Sequence, residues 1–217
     1  KDEYHKIDYE VMRLVFSIHN ELGRLHDEKI YEHELRRRCE AAGFETRTGV
    51  PVLVRYKEFV KTYYLDLIID SAVVYELKTV AAIAARHRSQ LLHYLMLVDL
   101  LYGKLVNLRP PSVEHEFITT GLTETGRARF TIENDGWDNH QERSVFFRQL
   151  MEELLAEWGA FLDVGLFREA VTFFLGGEEK VCLPVDVVRD SHILGSQRVD
   201  LLTSDTAFEI TAIRMGG

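Results

Sequence analysis

One passage sets the limits for this chain: Asp66-Leu-Ile-Ile-Asp-Ser-Ala-Val-Val-Tyr-Glu76-Leu-Lys78, much of which recurs as Asp200-Leu-Leu-Thr-Ser-Asp-Thr-Ala-Phe-Glu209-Ile-Thr211. Each copy reads as the end of one apolar strand, a short turn and the start of another. Both copies carry an acid on the first strand and an acid on the second, but a base follows only in the first copy. Side chains alternate along a strand, so Glu76 and Lys78 project from the same face. Threonine at 211 cannot supply the lost charge. A strand pair repeated in one chain, with its base lost once, predicts a working site and a retired one.

The surrounding pattern places these strands in an α/β fold. Val11, Leu14, Val15, Ile18 and Leu22 recur at helical spacing before Gly23, and a second helix is expected over 27–42, with Ile30, Tyr31, Leu35 and Cys39 facing inward. Strands are expected from Pro51, over 59–69 and over 72–80, with Lys57-Glu58 as the turn between the first two. A helix over 86–99, a strand over 102–108 and an edge strand over 113–119 complete the first half. The helix–strand–strand–strand–helix–strand order then restarts. Residues 1–120 are therefore expected to form one domain, 121–143 a polar linker, and 144–217 a degenerate and incomplete second copy. That copy lacks the helix and strand that follow Lys78, so its sheet face needs a cover. The first half is the expected cover; a further C-terminal segment or the second subunit of a homodimer are the alternatives.

The acidic balance must be split before it says anything about partners. The chain carries a net charge of −9, of which residues 121–217, with 9 Lys+Arg against 17 Asp+Glu, hold −8. Phosphate backbones are gripped by local basic clusters rather than by net charge, so the first half can still hold one. No apolar run reaches the ~18 residues of a membrane span, and the N-terminus lacks a signal-peptide pattern. Cys39 and Cys182 show neither disulfide nor zinc spacing, so a reduced, cytoplasmic setting and no membrane partner are expected.

Two acids and a lysine in apolar strands require a partner or a ligand. Two carboxylates at one sheet edge are costly unless a cation neutralises them. Mg²⁺ suits such a pair, being hard and retaining waters for chemistry, and Mn²⁺ is the alternative. The expected chemistry is metal-dependent cleavage of a phosphodiester, with Lys78 orienting the attacking water or offsetting developing charge. A Glu-x-Lys pair on a solvated strand face is the bland alternative; the neighbours Val73, Val74, Tyr75 and Leu77 argue against it. Gln90 and Tyr94, one helical turn apart, share a face of the following helix.

Asp66, Glu76-Leu-Lys78 and Gln90-x-x-x-Tyr94, set in that order of elements, resemble the PD-(D/E)XK nuclease superfamily, and the Gln-x-x-x-Tyr element resembles its RecB-like branch. The stretch from His19 to Leu35 is similar to the bacterial group named for its Gly-x-x-Glu-x-x-Tyr motif, with Glu28 and Tyr31 in register but Leu25 in place of the glycine. The resemblance implies a restriction-endonuclease-like core and a Mg²⁺- or Mn²⁺-dependent nuclease acting on nucleic acid, DNA before RNA. It implies Asp66 and Glu76 as metal ligands, Glu28 as the helix acid that completes the site, and Lys78 as the catalytic lysine. Gln90 and Tyr94 would be active-site supports or DNA contacts. His19 stands where some relatives place a further metal ligand; a hydrogen-bonded helix histidine is the competing reading. Arg36-Arg37-Arg38, Arg86 and Arg88 are either solvated helix faces or phosphate holders. The alternative for the whole chain is an inactive scaffold that keeps the fold to bind nucleic acid or protein.

Overall fold

The computed structural model describes residues 2–137 and 140–212, and divides into two compact units. Unit 1 runs to Val54 and resumes over Thr62–Gly126; unit 2 comprises Arg55–Lys61 and the chain from Arg127 onward. Among the described residues no helix is long and apolar enough to cross a membrane, and Cys39 and Cys182 are both free thiols.

Unit 1 opens with α1 (Asp2–Leu22) and α2 (Glu28–Ala41), followed by β1 (Thr46–Tyr56), β2 (Phe59–Ile69) and β3 (Val73–Lys78). Then come α3 (Ala85–Leu97), β4 (Tyr102–Asn107) and β5 (Glu114–Thr119). The β1–β2 turn falls at Lys57-Glu58, with Lys57 in the left-handed region. The five strands form one mixed sheet in the order β1-β2-β3-β4-β5. β3 runs antiparallel to β2 and parallel to β4, and β4 runs antiparallel to β5. A parallel pair needs a crossover, which α3 supplies. Val73 to Leu77 are all buried, as a strand covered on both faces requires.

Two apolar layers sandwich this sheet. On one face Val11, Val15 and Ile18 of α1 and Tyr31, Leu35 and Cys39 of α2 pack on Leu67, Ile69, Val73, Tyr75 and Leu77. On the other, Leu91, Tyr94 and Leu95 of α3 pack on Leu65, Ile68, Val74 and Leu105, with Val50 and Val52 against them. Leu65 and Ile68 lie an odd number of residues apart yet share one layer, so β2 breaks its alternation at Asp66. Such local irregularity re-aims a side chain.

The segment expected as a linker holds a short helix, α4 (Glu124–Arg127), at the boundary between the units. Unit 2 contains α5 (Glu142–Trp158), α6 (Val164–Phe174), α7 (Glu178–Val181), β6 (Cys182–Arg189), β7 (His192–Thr203) and β8 (Thr206–Ala207). Its sheet is antiparallel in the order β6-β7-β8. Trp158 is its hub, packing on Phe59 and Phe167 and donating from Nε1 to the Arg55 carbonyl at 2.8 Å. The expectation of a full third strand through Glu209 and Thr211 does not hold. β8 stops at Ala207, and among the described residues one backbone bond, Phe208 N–H to the Asp200 carbonyl, continues the pairing. β3 of unit 1 is held between two neighbours, whereas among the described residues β8 has β7 alone, which supplies few ladder bonds.

Candidate functional site

The catalytic residues expected from sequence converge where β2, β3 and α2 meet. Asp66 Oδ2 accepts a 3.0 Å hydrogen bond from the Leu77 amide, which places its carboxylate beside the Glu76–Lys78 segment. Lys78 Nζ donates to Glu76 Oε1 at 2.7 Å and lies 4.0 Å from Glu28 Oε1 at the start of α2. Glu76 is 1% exposed, and its second oxygen, Oε2, has no hydrogen-bond partner among the described residues.

Electrostatics here are dominated by crowded acids in a poorly solvated place. Burial and then Asp66 push the Glu76 carboxyl up to about 7, against the pull of Lys78. Burial likewise raises Asp66, opposed by Lys78 and by the Leu77 amide, and raises Glu28, opposed by Lys78 and reinforced by Asp66. For Lys78, burial works against the charge, yet Glu76, Glu28 and Asp66 outweigh it and its pKa rises. The lysine therefore stays an ammonium, and it neutralises only part of the surrounding charge.

Gln90 and Tyr94 pair on α3, with Gln90 Nε2 donating to the Tyr94 hydroxyl at 2.9 Å. Burial raises the Tyr94 pKa, and the charges of Glu76, Asp66 and Lys78 are felt there as well, so α3 presents this pair to the site. His19 is placed differently. Its Nε2 is 3.1 Å from the Pro110 carbonyl, which can only accept, so that nitrogen carries the proton and is committed to the β4–β5 connection.

Tyr31 staples the helix junction: it is buried, and its hydroxyl donates to the Gly23 carbonyl at 2.7 Å. Leu25, where a glycine was expected, is 78% exposed and not in the left-handed region, so leucine fits without strain. Arg36, Arg37 and Arg38 pair with Glu40, Glu34 and Glu21, and Arg88 with Glu116, as solvated helix faces do.

Two contributors escaped the sequence reading. Glu32 is buried, is ion-paired to Lys29, and raises the pKa of Asp66 through its charge. Its position one helical turn after Glu28 was the available signal. Asn107 is fully buried beside Lys78 in the β3–β4 register. It bonds both the amide and the carbonyl of Val80 and reaches Glu114, clamping the chain as it leaves Lys78. Nothing short of the strand pairing could have pointed to it.

Among the described residues, no three His, Cys, Asp or Glu side chains are gathered tightly enough to hold a metal ion as they stand. Lys78 occupies one Glu76 oxygen, and His19 Nε2 faces the Pro110 carbonyl. The donor chemistry nevertheless suits a hard divalent cation. Asp66, Glu76 and Glu28 offer only oxygen, and the orphaned Glu76 Oε2 is a buried acceptor that a cation would satisfy.

Residues 5–119 match the family model described as the PD-(D/E)XK nuclease superfamily, just over half of the chain. A solved structure, "Crystal structure of SSO0001", is 25% identical with a TM-score of 0.36, over 45% of this chain and 52% of that one. The chain thus spans about half the length of that structure, and a likeness at this score carries no argument. No curated protein matches the chain.

Proposed function

We propose that this chain, which belongs to the PD-(D/E)XK nuclease superfamily, is a metal-dependent nuclease that hydrolyses phosphodiester bonds, of DNA before RNA. The observation that carries the reading is Glu76: a buried carboxylate with an orphaned oxygen, pressed against Asp66 and answered by one lysine. Asp66 and Glu76, with Glu28 beside them, would hold Mg²⁺ or Mn²⁺, which when bound polarises the scissile phosphate and lowers the pKa of a coordinated water. Lys78 remains protonated and donates to the attacking water or to the phosphoryl oxygens as charge develops. Gln90 and Tyr94 position the substrate strand from α3, and Asn107 fixes the backbone that carries Lys78 toward that helix.

The test is a cleavage assay on single- and double-stranded DNA and on RNA, with Mg²⁺, Mn²⁺ or EDTA. Cleavage should require the divalent ion and vanish in Lys78→Ala while circular dichroism stays unchanged; cleavage that survives in that variant sinks the assignment. The scaffold reading is favoured by one observation, the closed Lys78–Glu76 pair with no three-ligand cage assembled among the described residues. Nucleic-acid binding without cleavage under every metal condition would select it.

We further propose that unit 2 is a retired second copy of the same helices and hairpin. Val11, Leu14, Val15, Ile18 and Leu22 of α1 correspond, at a constant offset of 136, to Phe147, Leu150, Met151, Leu154 and Trp158 of α5. The same offset relates Gly23 to Gly159, with φ of 74° and 77°, and the α2 start at Glu28 to the α6 start at Val164. It also pairs the buried Tyr31, Leu35 and Cys39 with the buried Phe167, Val171 and Leu175. At this offset Glu28 becomes Val164 and Glu32 becomes Arg168. Arg168 grips Asp200, the counterpart of Asp66, through two bonds of 2.6 and 2.7 Å and holds its carboxyl below the usual carboxylate range. A fixed guanidinium thus stands where the first copy gathers acids, which supports loss of metal chemistry in the second.

A further inference from the structure

The acids that mark the site also repel the polyanion it would cut. Asp66, Glu76, Glu28 and Glu32 crowd together there, and the two lysines beside them are engaged, Lys78 with Glu76 and Lys29 with Glu32. A nucleic acid brought to such a place needs a cation that no carboxylate has already answered. Arg13, Arg36, Arg37, Arg38 and Arg88 do not qualify, because each is paired with a glutamate.

Arg109 is held differently. It is half-buried, and its guanidinium is fixed by neutral groups: Nε donates to the Thr79 carbonyl at 3.2 Å and Nη2 to the His26 carbonyl at 3.4 Å. Among the described residues no carboxylate pairs with it. Carbonyl dipoles steady a guanidinium but leave its charge in place. Of its five N–H groups these bonds use two, so three remain, among them the pair at the end of the fork. That pair is the geometry that meets a phosphate with two parallel hydrogen bonds. The backbone beneath is fixed relative to Lys78: the Leu108 amide donates to the Lys78 carbonyl at 2.8 Å, the Arg109 amide donates to Asn107 Oδ1 at 3.3 Å, and Pro110 and Pro111 follow. The two carbonyls that Arg109 holds belong to the residue after Lys78 and to the residue two before Glu28. Arg109 therefore bridges the exit of β3 and the entry of α2, with its charge preorganised at the rim of the site.

We infer that Arg109 is a substrate-binding residue that grips a backbone phosphate next to the scissile one and so holds nucleic acid against the acidic site. The inference rests on the reading of this site as one for nucleic acid, and it stands or falls on binding rather than on cleavage. A phosphate contact fixes the register of the strand and reads no base, so this anchor serves DNA and RNA alike.

The probe is a fluorescein-labelled DNA duplex, titrated with the full chain and followed by anisotropy over a series of salt concentrations, with Ca²⁺ or EDTA in place of Mg²⁺. Log affinity should fall linearly with log salt. Arg109→Ala should weaken binding severalfold and reduce that slope by about 1, the loss of one neutralised phosphate. Arg109→Lys keeps the charge without the fork, so it should restore the slope and recover part of the affinity. Arg36→Ala, which removes an arginine paired with Glu40, should change neither. A slope unchanged in Arg109→Ala overturns the inference, as does a slope that Arg109→Lys fails to restore, or a chain that binds no duplex in either condition. Cleavage measured in parallel separates this inference from the nuclease reading. Cleavage with an unaltered slope sinks the role of Arg109 and keeps the nuclease; a reduced slope without cleavage under any metal keeps Arg109 and selects the scaffold.

Discussion

Replacing Glu76 by glutamine should stabilise the metal-free protein, although it removes a residue assigned to the active site. Burial and Asp66 raise the Glu76 carboxyl from an ordinary 4.5 to about 7, a displacement that already includes the attraction of Lys78. The folded state therefore binds this proton more tightly than the unfolded state does. Its penalty is absent below the unfolded value, grows as pH rises from about 4.5 to about 7, and is constant above that. At about 1.4 kcal/mol per unit, ionised Glu76 costs the fold about 3 kcal/mol at pH 8 and about 1 kcal/mol at pH 5.5. Glutamine keeps an oxygen for Lys78 and removes the charge. Urea unfolding in EDTA, followed by hydrogen exchange at the buried β3 amides, should show Glu76→Gln more stable by about 3 kcal/mol at pH 8 and by about 1 kcal/mol at pH 5.5. Millimolar Mg²⁺ or Mn²⁺ should then stabilise the original protein and leave the variant unmoved. A variant no more stable at pH 8, or an advantage equal at both pH values, would refute the argument that an uncompensated carboxylate strains this site.

Three further substitutions probe the frame. Gly159→Ala should cost more than Gly23→Ala in thermal unfolding: both sites are left-handed, worth about 1 kcal/mol, but a Cβ at Gly159 would lie 2.8 Å from Arg127 Cβ and nothing lies within 4 Å of one at Gly23. Equal losses would show that the Arg127 contact yields freely. Arg168→Ala should cost about 1 kcal/mol, discounted for the partial exposure of the arginine. Because the folded Asp200 pKa is lowered, this stabilisation is present above the unfolded value and is lost as pH falls through the lowered one, so acid titration of the variant should lack that component. Asn107→Ala should cost about 2–3 kcal/mol, since the Val80 amide and carbonyl lose their buried partner, and hydrogen exchange should speed up over 79–84.

Much of unit 1 was legible because its signals are local and periodic. Helical spacing marked α1 and α2, the continuous apolar run marked β3 as a central strand, and Asp66, Glu76, Lys78, Gln90 and Tyr94 stood out as charged or paired groups where apolar residues were due. Those signals survive without coordinates, since 3.6- and 2-residue periods are written along the chain. Charge alone did not decide which acids crowd together. Glu32 joins Asp66 through helix packing, Asn107 meets Lys78 through a parallel register, and His19 turns to a carbonyl 91 residues away. The shortened β8 was illegible for a related reason: a strand needs neighbours, and among the described residues β8 pairs with β7 alone. The amino-acid sequence determined which residues could do chemistry. Tertiary structure decided how those charges are compensated, because desolvation and pairing depend on the burial and company that only packing creates.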